Sequence, residues 1–149
     1  FCMWYYKNSS AAQYFSDARN NGGQWFLSNY SGENINYTDR LRYNFSSSIN
    51  SSDPDFLNQW QQLAVVSDSS RSYLYLNGYE VSVHPVYRTS YVSTSSIDED
   101  LGRNFRIGTR YTTSAPWTGL MGPIMIYNRV LSAGEIYQNF EAARGRYGL

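Results

Sequence analysis

Only one cysteine, Cys2, and one histidine, His84, occur in the chain. A single cysteine excludes an internal disulfide, and with it the cysteine frameworks and zinc clusters that hold small folds together. Cys2 then reads as a small half-buried hydrophobe, with an intermolecular bridge as the alternative. Excess charge of either sign is missing too. Twelve Lys and Arg balance twelve Asp and Glu, and the basic residues are scattered, so there is no electrostatic footprint for nucleic acid. No apolar run approaches the roughly 20 residues that cross a bilayer as a helix, and no secretory leader is visible.

What the sequence has is tyrosine, with serine, asparagine and threonine between the apolar residues. This is the composition of pleated strands joined by turns. A chain of 149 residues suits one domain with its own core. It opens at Phe1 inside an apolar run, which reads as a piece of a longer polypeptide.

Phe1 to Tyr6 suits a strand covered on both faces. Ala12 to Ser16 reads as a strand before the Asn-Asn-Gly-Gly turn at 20–23, and Gln24 to Asn29 as the next. Arg40 to Ser46 alternates, with Leu41, Tyr43 and Phe45 on one face and Arg42 and Asn44 on the other. A serine-rich loop follows, closed by Asp53-Pro54. Trp60, taken as a core residue, then opens the run Leu63, Ala64, Val65, Val66. Arg71 to Leu76 and Tyr79 to Val83 flank Asn77-Gly78, the dipeptide that supplies the positive φ angles of a type I′ hairpin. Pro85 to Gly102 is polar and carries no element signal. Phe105 to Gly108 and Gly119 to Tyr127 read as the last strands. Ser132-Ala-Gly-Glu135 has capping-box spacing, and Ala133, Ile136, Phe140 and Ala143 share one helical face. Many short strands with one closing helix and no strand–helix alternation imply an all-β fold, an antiparallel sandwich of two sheets.

The run Trp60-Gln-Gln-Leu-Ala-Val-Val-Ser-Asp followed by Tyr73-Leu-Tyr-Leu-Asn-Gly resembles the central hairpin of laminin G-like domains of the concanavalin A-like superfamily. Phe105-Arg-Ile-Gly-Thr, Trp117-Thr-Gly and Ile124-Met-Ile-Tyr-Asn-Arg-Val-Leu-Ser-Ala-Gly-Glu-Ile resemble its last strands and closing segment. The ending Ala143-Arg-Gly-Arg-Tyr-Gly-Leu is similar to copies found in phage and other virus structural proteins and in large secreted proteins. The resemblance implies a jelly-roll of two curved sheets, residues 1–149 as one such domain, and binding of glycans or proteins at the concave face or rim loops. It also implies a place outside the cytoplasm: extracellular, on a cell surface or on a virion surface.

Fold does not give function, which rests on the chemistry of particular residues. Retaining glycosidases on related sandwiches need two facing carboxylates. The nearest candidate, Asp98-Glu99-Asp100, lacks the Glu-x-Asp-x-Glu order and sits in polar loop sequence, the ordinary setting of a solvated charge run. His84 precedes Pro85 and has no serine or cysteine partner. The chain is therefore expected not to be an enzyme. Calcium is the candidate cofactor, drawn mainly from the resemblance. Asp17 with Asn20 and Asn21, and Asp98 with Asp100, could supply its oxygen ligands, although turn formation explains the same residues. For sugar binding, aromatic rings give apolar faces and their polar neighbours take the hydroxyls. Tyr87, Tyr91, Tyr111 and Trp117 are the candidates, set against the plainer reading that each covers a sheet. Asn8, Asn29, Asn36, Asn44 and Asn50 begin glycosylation sequons, as a serine-rich chain produces by chance.

Two functions follow. The first is a lectin-like recognition domain of an adhesin or virus fibre, binding carbohydrate. The second is a structural or decorating module of a virion or other extracellular assembly, binding protein subunits.

Overall fold

The computed structural model describes residues 1–8, 13–17, 26–30, 34–38, 47–48, 58–67, 72–80, 106–109 and 116–149, with backbone only for the strands at 13–17, 26–30, 34–38 and 47–48 and for positions 67 and 72. The strands are β1 (Cys2–Lys7), β2 (Gln13–Asp17), β3 (Phe26–Tyr30), β4 (Asn34–Thr38), β5 (Ser47–Ser48), β6 (Trp60–Ser67), β7 (Ser72–Leu76), β8 (Tyr79–Glu80), β9 (Arg106–Ile107) and β10 (Gly119–Met125), followed by α1 (Ala133–Arg144) and a 3-10 turn over Gly145–Tyr147. They form two five-stranded sheets, β10-β1-β6-β7-β8 and β5-β4-β3-β2-β9. Every ladder among the described residues is antiparallel. The architecture is the all-β, antiparallel two-sheet jelly-roll sandwich of the concanavalin A type, with one short C-terminal helix.

β1 lies inside the first sheet, between β10 and β6, so both its edges are paired, and both its faces carry buried residues. The period-2 alternation of a strand divides its residues between two clusters. Met3 and Tyr5 join Leu63, Val65, Leu74 and Leu76 on the inner face, with Phe1, Trp117, Met121 and Ile124 packed against them. Cys2 joins Ala64, Val66, Tyr75, Leu131 and Ile136 on the face that carries α1. Met3, Leu63 and Leu76 are fully buried, each stabilising the fold by about 1.5–3 kcal/mol.

The Asn77-Gly78 turn has the backbone its sequence requires, with φ of 50° and 82°. Gly78 is also where the helix rests on the hairpin. A Cβ there would stand 3.1 Å from Phe140 Cβ and 3.1 Å from Tyr137 Cδ2, so the turn needs glycine for space as well as for φ. At the other end of the segment, Ser132 caps α1. Its Oγ accepts the Glu135 N–H at 3.3 Å, while the Glu135 carboxylate accepts the Ser132 N–H at 2.8 Å. Ile136 and Phe140 are the buried positions of the helix. Ala133, assigned to the same face from its spacing, is exposed and Ala143 half-buried.

β4 was not expected, because Asn34-Ile-Asn-Tyr-Thr38 has little apolar content; its ladder with β3 supplies the order. The alternating segment Arg40 to Ser46 lies outside the described residues.

Candidate functional site

Of the rim candidates, Trp117 is described. Its main-chain N–H donates to Gly108 O at 2.8 Å. Its ring meets Tyr5 edge-on, with centroids 5.7 Å apart. Trp117 is half-buried and packs on the inner cluster, so much of its surface goes to joining β9 and β10 to the core. Tyr87, Tyr91, Tyr111, Asp98 and Asp100 lie outside the described residues, and Asp17 is described by its backbone alone. The register makes Arg106 the Cα partner of Asp17. Among the described residues no group of three His, Cys, Asp or Glu is placed to hold a metal ion.

The described surface with binding chemistry lies on the helix side of the first sheet. Here the register aligns one residue from each of three strands: Leu120 of β10 is the Cα partner of Tyr6 of β1, and Tyr6 is the partner of Trp60 of β6. All three fall on one face by alternation. The Tyr6 and Trp60 rings stand 5.9 Å apart, inclined at 63°, and both are half-buried. Leu120 is 56% exposed. At the head of an apolar run, Trp60 reads from sequence as a core residue. In the fold it stands at the start of β6, at the border between the covered and the open part of this face. Its polar neighbours in sequence, Asn58 and Gln59, are exposed and half-buried.

The next row under this platform is Trp4 and Gln62, Cα partners on β1 and β6. Tyr147 lies flat on Trp4, with centroids 4.2 Å apart at 21°, and leans on Trp60 at 4.8 Å. Phe140 stacks on Trp4 as well, at 5.8 Å. The absence of a side chain at Gly122 makes this fit. A Cβ there would sit 2.9 Å from Trp4 Cβ, 3.1 Å from Tyr147 Oη and 3.4 Å from Trp60 Cζ3. Gln62 is 1% exposed, yet neither its Oε1 nor its Nε2 has a hydrogen-bond partner. An unsatisfied amide of this kind costs about 1–3 kcal/mol. The clue to the platform in the sequence is the alternation Trp60, Gln62, Ala64, which places an aromatic and an amide opposite the apolar face Leu63, Val65.

Two buried titratable groups flank β1. Burial lowers the Lys7 ammonium to about 8 and raises the Cys2 thiol to about 11. On the surface, the Arg129 guanidinium at 2.7 Å, with the Ser132 bonds, holds the Glu135 carboxyl down to about 2. This last arrangement belongs to the helix cap.

A family model of the laminin G type, described as the concanavalin A-like lectin/glucanases superfamily, matches residues 1–137. The chain belongs to that superfamily. No curated protein sequence matches it. Among solved structures, it is similar to a candidate carbohydrate binding protein from Bacteroides ovatus, with a TM-score of 0.66 and 14% identity over 92% of this chain and 39% of that one. It is similar also to the binding domain of botulinum neurotoxin DC in complex with rat synaptotagmin II, with a TM-score of 0.57 and 15% identity over 95% of this chain and 34% of that one. A third is botulinum neurotoxin type C, whose cell entry depends on interaction with two ganglioside molecules, with a TM-score of 0.52 and 16% identity over 95% of this chain and 34% of that one. The chain thus spans between 34% and 39% of the length of these structures. At such identities the likeness is one of fold.

Proposed function

We propose that this chain is a non-enzymatic recognition module that binds carbohydrate outside the cytoplasm, using the aromatic platform on the helix side of the first sheet. The observation that carries this reading is the row Leu120, Tyr6 and Trp60, in which an exposed leucine and two half-exposed rings are lined up across three strands. A pyranose has an apolar C–H face and a polar edge. Aromatic rings receive the face, and amide or hydroxyl neighbours take the edge. The lectin-like fold supports the reading, as do neighbours whose descriptions name carbohydrate binding and gangliosides. Tyr87, Tyr91, Tyr111 and Trp117 are proposed as further ligand contacts, and calcium with Asp17, Asp98 and Asp100 as a further requirement.

The test is a glycan-array screen of the folded domain, in calcium and again in chelator, with Trp60→Ala and Tyr6→Ala beside the wild type. Saturable binding to a defined glycan set, reduced at least about tenfold in each variant, supports the platform. Binding that survives both variants but is lost on changing Tyr87, Tyr91 or Tyr111 moves the site to those tyrosines. A chelator-sensitive signal brings in calcium. No binding in either buffer sinks carbohydrate recognition for the sugars tested and favours the alternative, a module that contacts protein subunits of an assembly.

A further inference from the structure

The polar group next to the platform lacks a partner, and the group that covers the adjoining row is a ring. Gln62 carries a buried carboxamide with neither Oε1 nor Nε2 bonded. It stands two residues along β6 from Trp60, on the same face, and is the Cα partner of Trp4. On Trp4 lies Tyr147, stacked at 4.2 Å with its hydroxyl over Gly122. Tyr147 ends a three-residue 3-10 turn, after which Gly148 takes the left-handed conformation. A phenol ring offers the Trp4 face what it needs and offers the carboxamide nothing: one hydroxyl cannot serve an acceptor and a two-hydrogen donor set at another corner.

We propose that the slot walled by Trp60 and Gly122, with Trp4 as its floor and Gln62 at its corner, is a second pyranose subsite that Tyr147 occupies in the free protein. The inference rests on the platform reading and adds a deeper subsite to it. A pyranose is a ring of similar breadth to the phenol. Its C–H face stacks on the indole, and its ring of hydroxyls supplies donors and acceptors together, which is what an unpartnered carboxamide lacks. Entry requires that Tyr147 swing off both Trp4 and Trp60. Phe140, anchored in α1, stays in place on the other part of the indole. The glycine at 122 has two consequences here: it admits the Tyr147 ring now and leaves the width for a sugar ring afterwards.

The test titrates the methyl glycosides of glucose, galactose, mannose and N-acetylglucosamine into wild type, Tyr147→Ala, Tyr147→Ala with Gln62→Leu, and Trp60→Ala. Indole fluorescence and ligand-observed NMR report binding, and thermal unfolding checks each variant. If Tyr147 covers the slot about nine-tenths of the time, its removal tightens binding about tenfold, and the added Gln62→Leu change abolishes that gain. Wild-type binding that Tyr147→Ala leaves unchanged or weakens overturns the subsite and leaves the platform standing. A gain that persists with Gln62→Leu overturns the part assigned to the carboxamide and with it the subsite as proposed. No binding of these glycosides by any of the folded proteins overturns the subsite, while the platform stands or falls on the glycan array. The wild type gives an independent readout: NMR contacts between the Tyr147 and Trp4 rings must fade as the glycoside saturates, and their persistence at saturation overturns the subsite even if Tyr147→Ala fails to fold.

Discussion

Asn77 and Gln62 hold each other by two bonds: the Gln62 N–H donates to Asn77 Oδ1 at 2.9 Å, and the Asn77 N–H donates to Gln62 O at 2.8 Å. The Asn77 amide makes a third bond, donating to Gln61 Oε1 at 3.1 Å. A residue placed in the turn for its φ thus also fixes the strand that carries Trp60 and Gln62.

Changing Asn77 should therefore separate the two roles. Asn77→Gly keeps the positive φ and loses the side-chain bonds, and should cost about 1–2 kcal/mol. Asn77→Ala loses both and should cost about 1 kcal/mol more. Chemical denaturation of the two variants measures the difference. Equal costs would show that the side-chain bonds carry the whole effect.

The helix cap makes an acid-sensitive contribution. The free Glu135 carboxyl titrates at 4.5, and Arg129 and Ser132 hold it down to about 2 in the fold. A depressed folded value means that the stabilisation is complete above about 4.5 and is lost as pH falls towards about 2. Melting temperatures of the wild type between pH 5 and pH 2 should fall more steeply than those of Glu135→Gln. Parallel curves would remove Glu135 from the acid response.

At alkaline pH two groups on β1 act in opposite directions. Lys7 titrates at about 8 in the fold against 10.5 when free. Between those values the unfolded chain binds the extra proton, so stability rises with pH. Cys2 titrates at about 11 in the fold against 9.0 when free. Between those values the folded chain binds the extra proton, so stability falls. The two groups together should give a rise from pH 8 to 9, a plateau to 10.5 and a fall beyond it. Lys7→Met should remove the first rise, and Cys2→Ala should let the rise continue through the plateau. Thermal unfolding across this range in the three proteins tests the signs.

The parts of the fold legible in the sequence were those where a local rule and the tertiary structure agree. Asn77-Gly78 satisfies a turn that its own backbone dictates, and Ser132 with Glu135 closes a cap within one helical turn. Phe1 to Tyr6 reads as covered on both faces because it has no polar position; Cys2 to Tyr5 are buried, while Tyr6 is half-buried where the helix-side face opens. β4 was invisible because Asn34, Asn36 and Thr38 carry no hydrophobic period, and pairing with β3 outweighs weak propensity. The platform failed to show for another reason. Tyr6 and Trp60 are distant in sequence, and each sits at the end of an apolar strand where periodicity cannot tell a covered position from an open one. Only the register, which places Tyr6 beside Trp60, makes them a surface.

Gln62 gives a stability experiment that is independent of any ligand. Its carboxamide is buried and unbonded, so the fold bears a desolvation cost that an apolar side chain of similar volume would not. Gln62→Leu should raise stability by about 1–2 kcal/mol, seen as a higher denaturation midpoint with unchanged slope. The Gln62 main-chain N–H and O that bond Asn77 Oδ1 and the Asn77 N–H do not depend on the Gln62 side chain, so the hairpin should persist. A Gln62→Leu protein less stable than the wild type would mean that the carboxamide is satisfied in solution, by a trapped water for example, and would take away the vacancy on which a sugar hydroxyl is proposed to act.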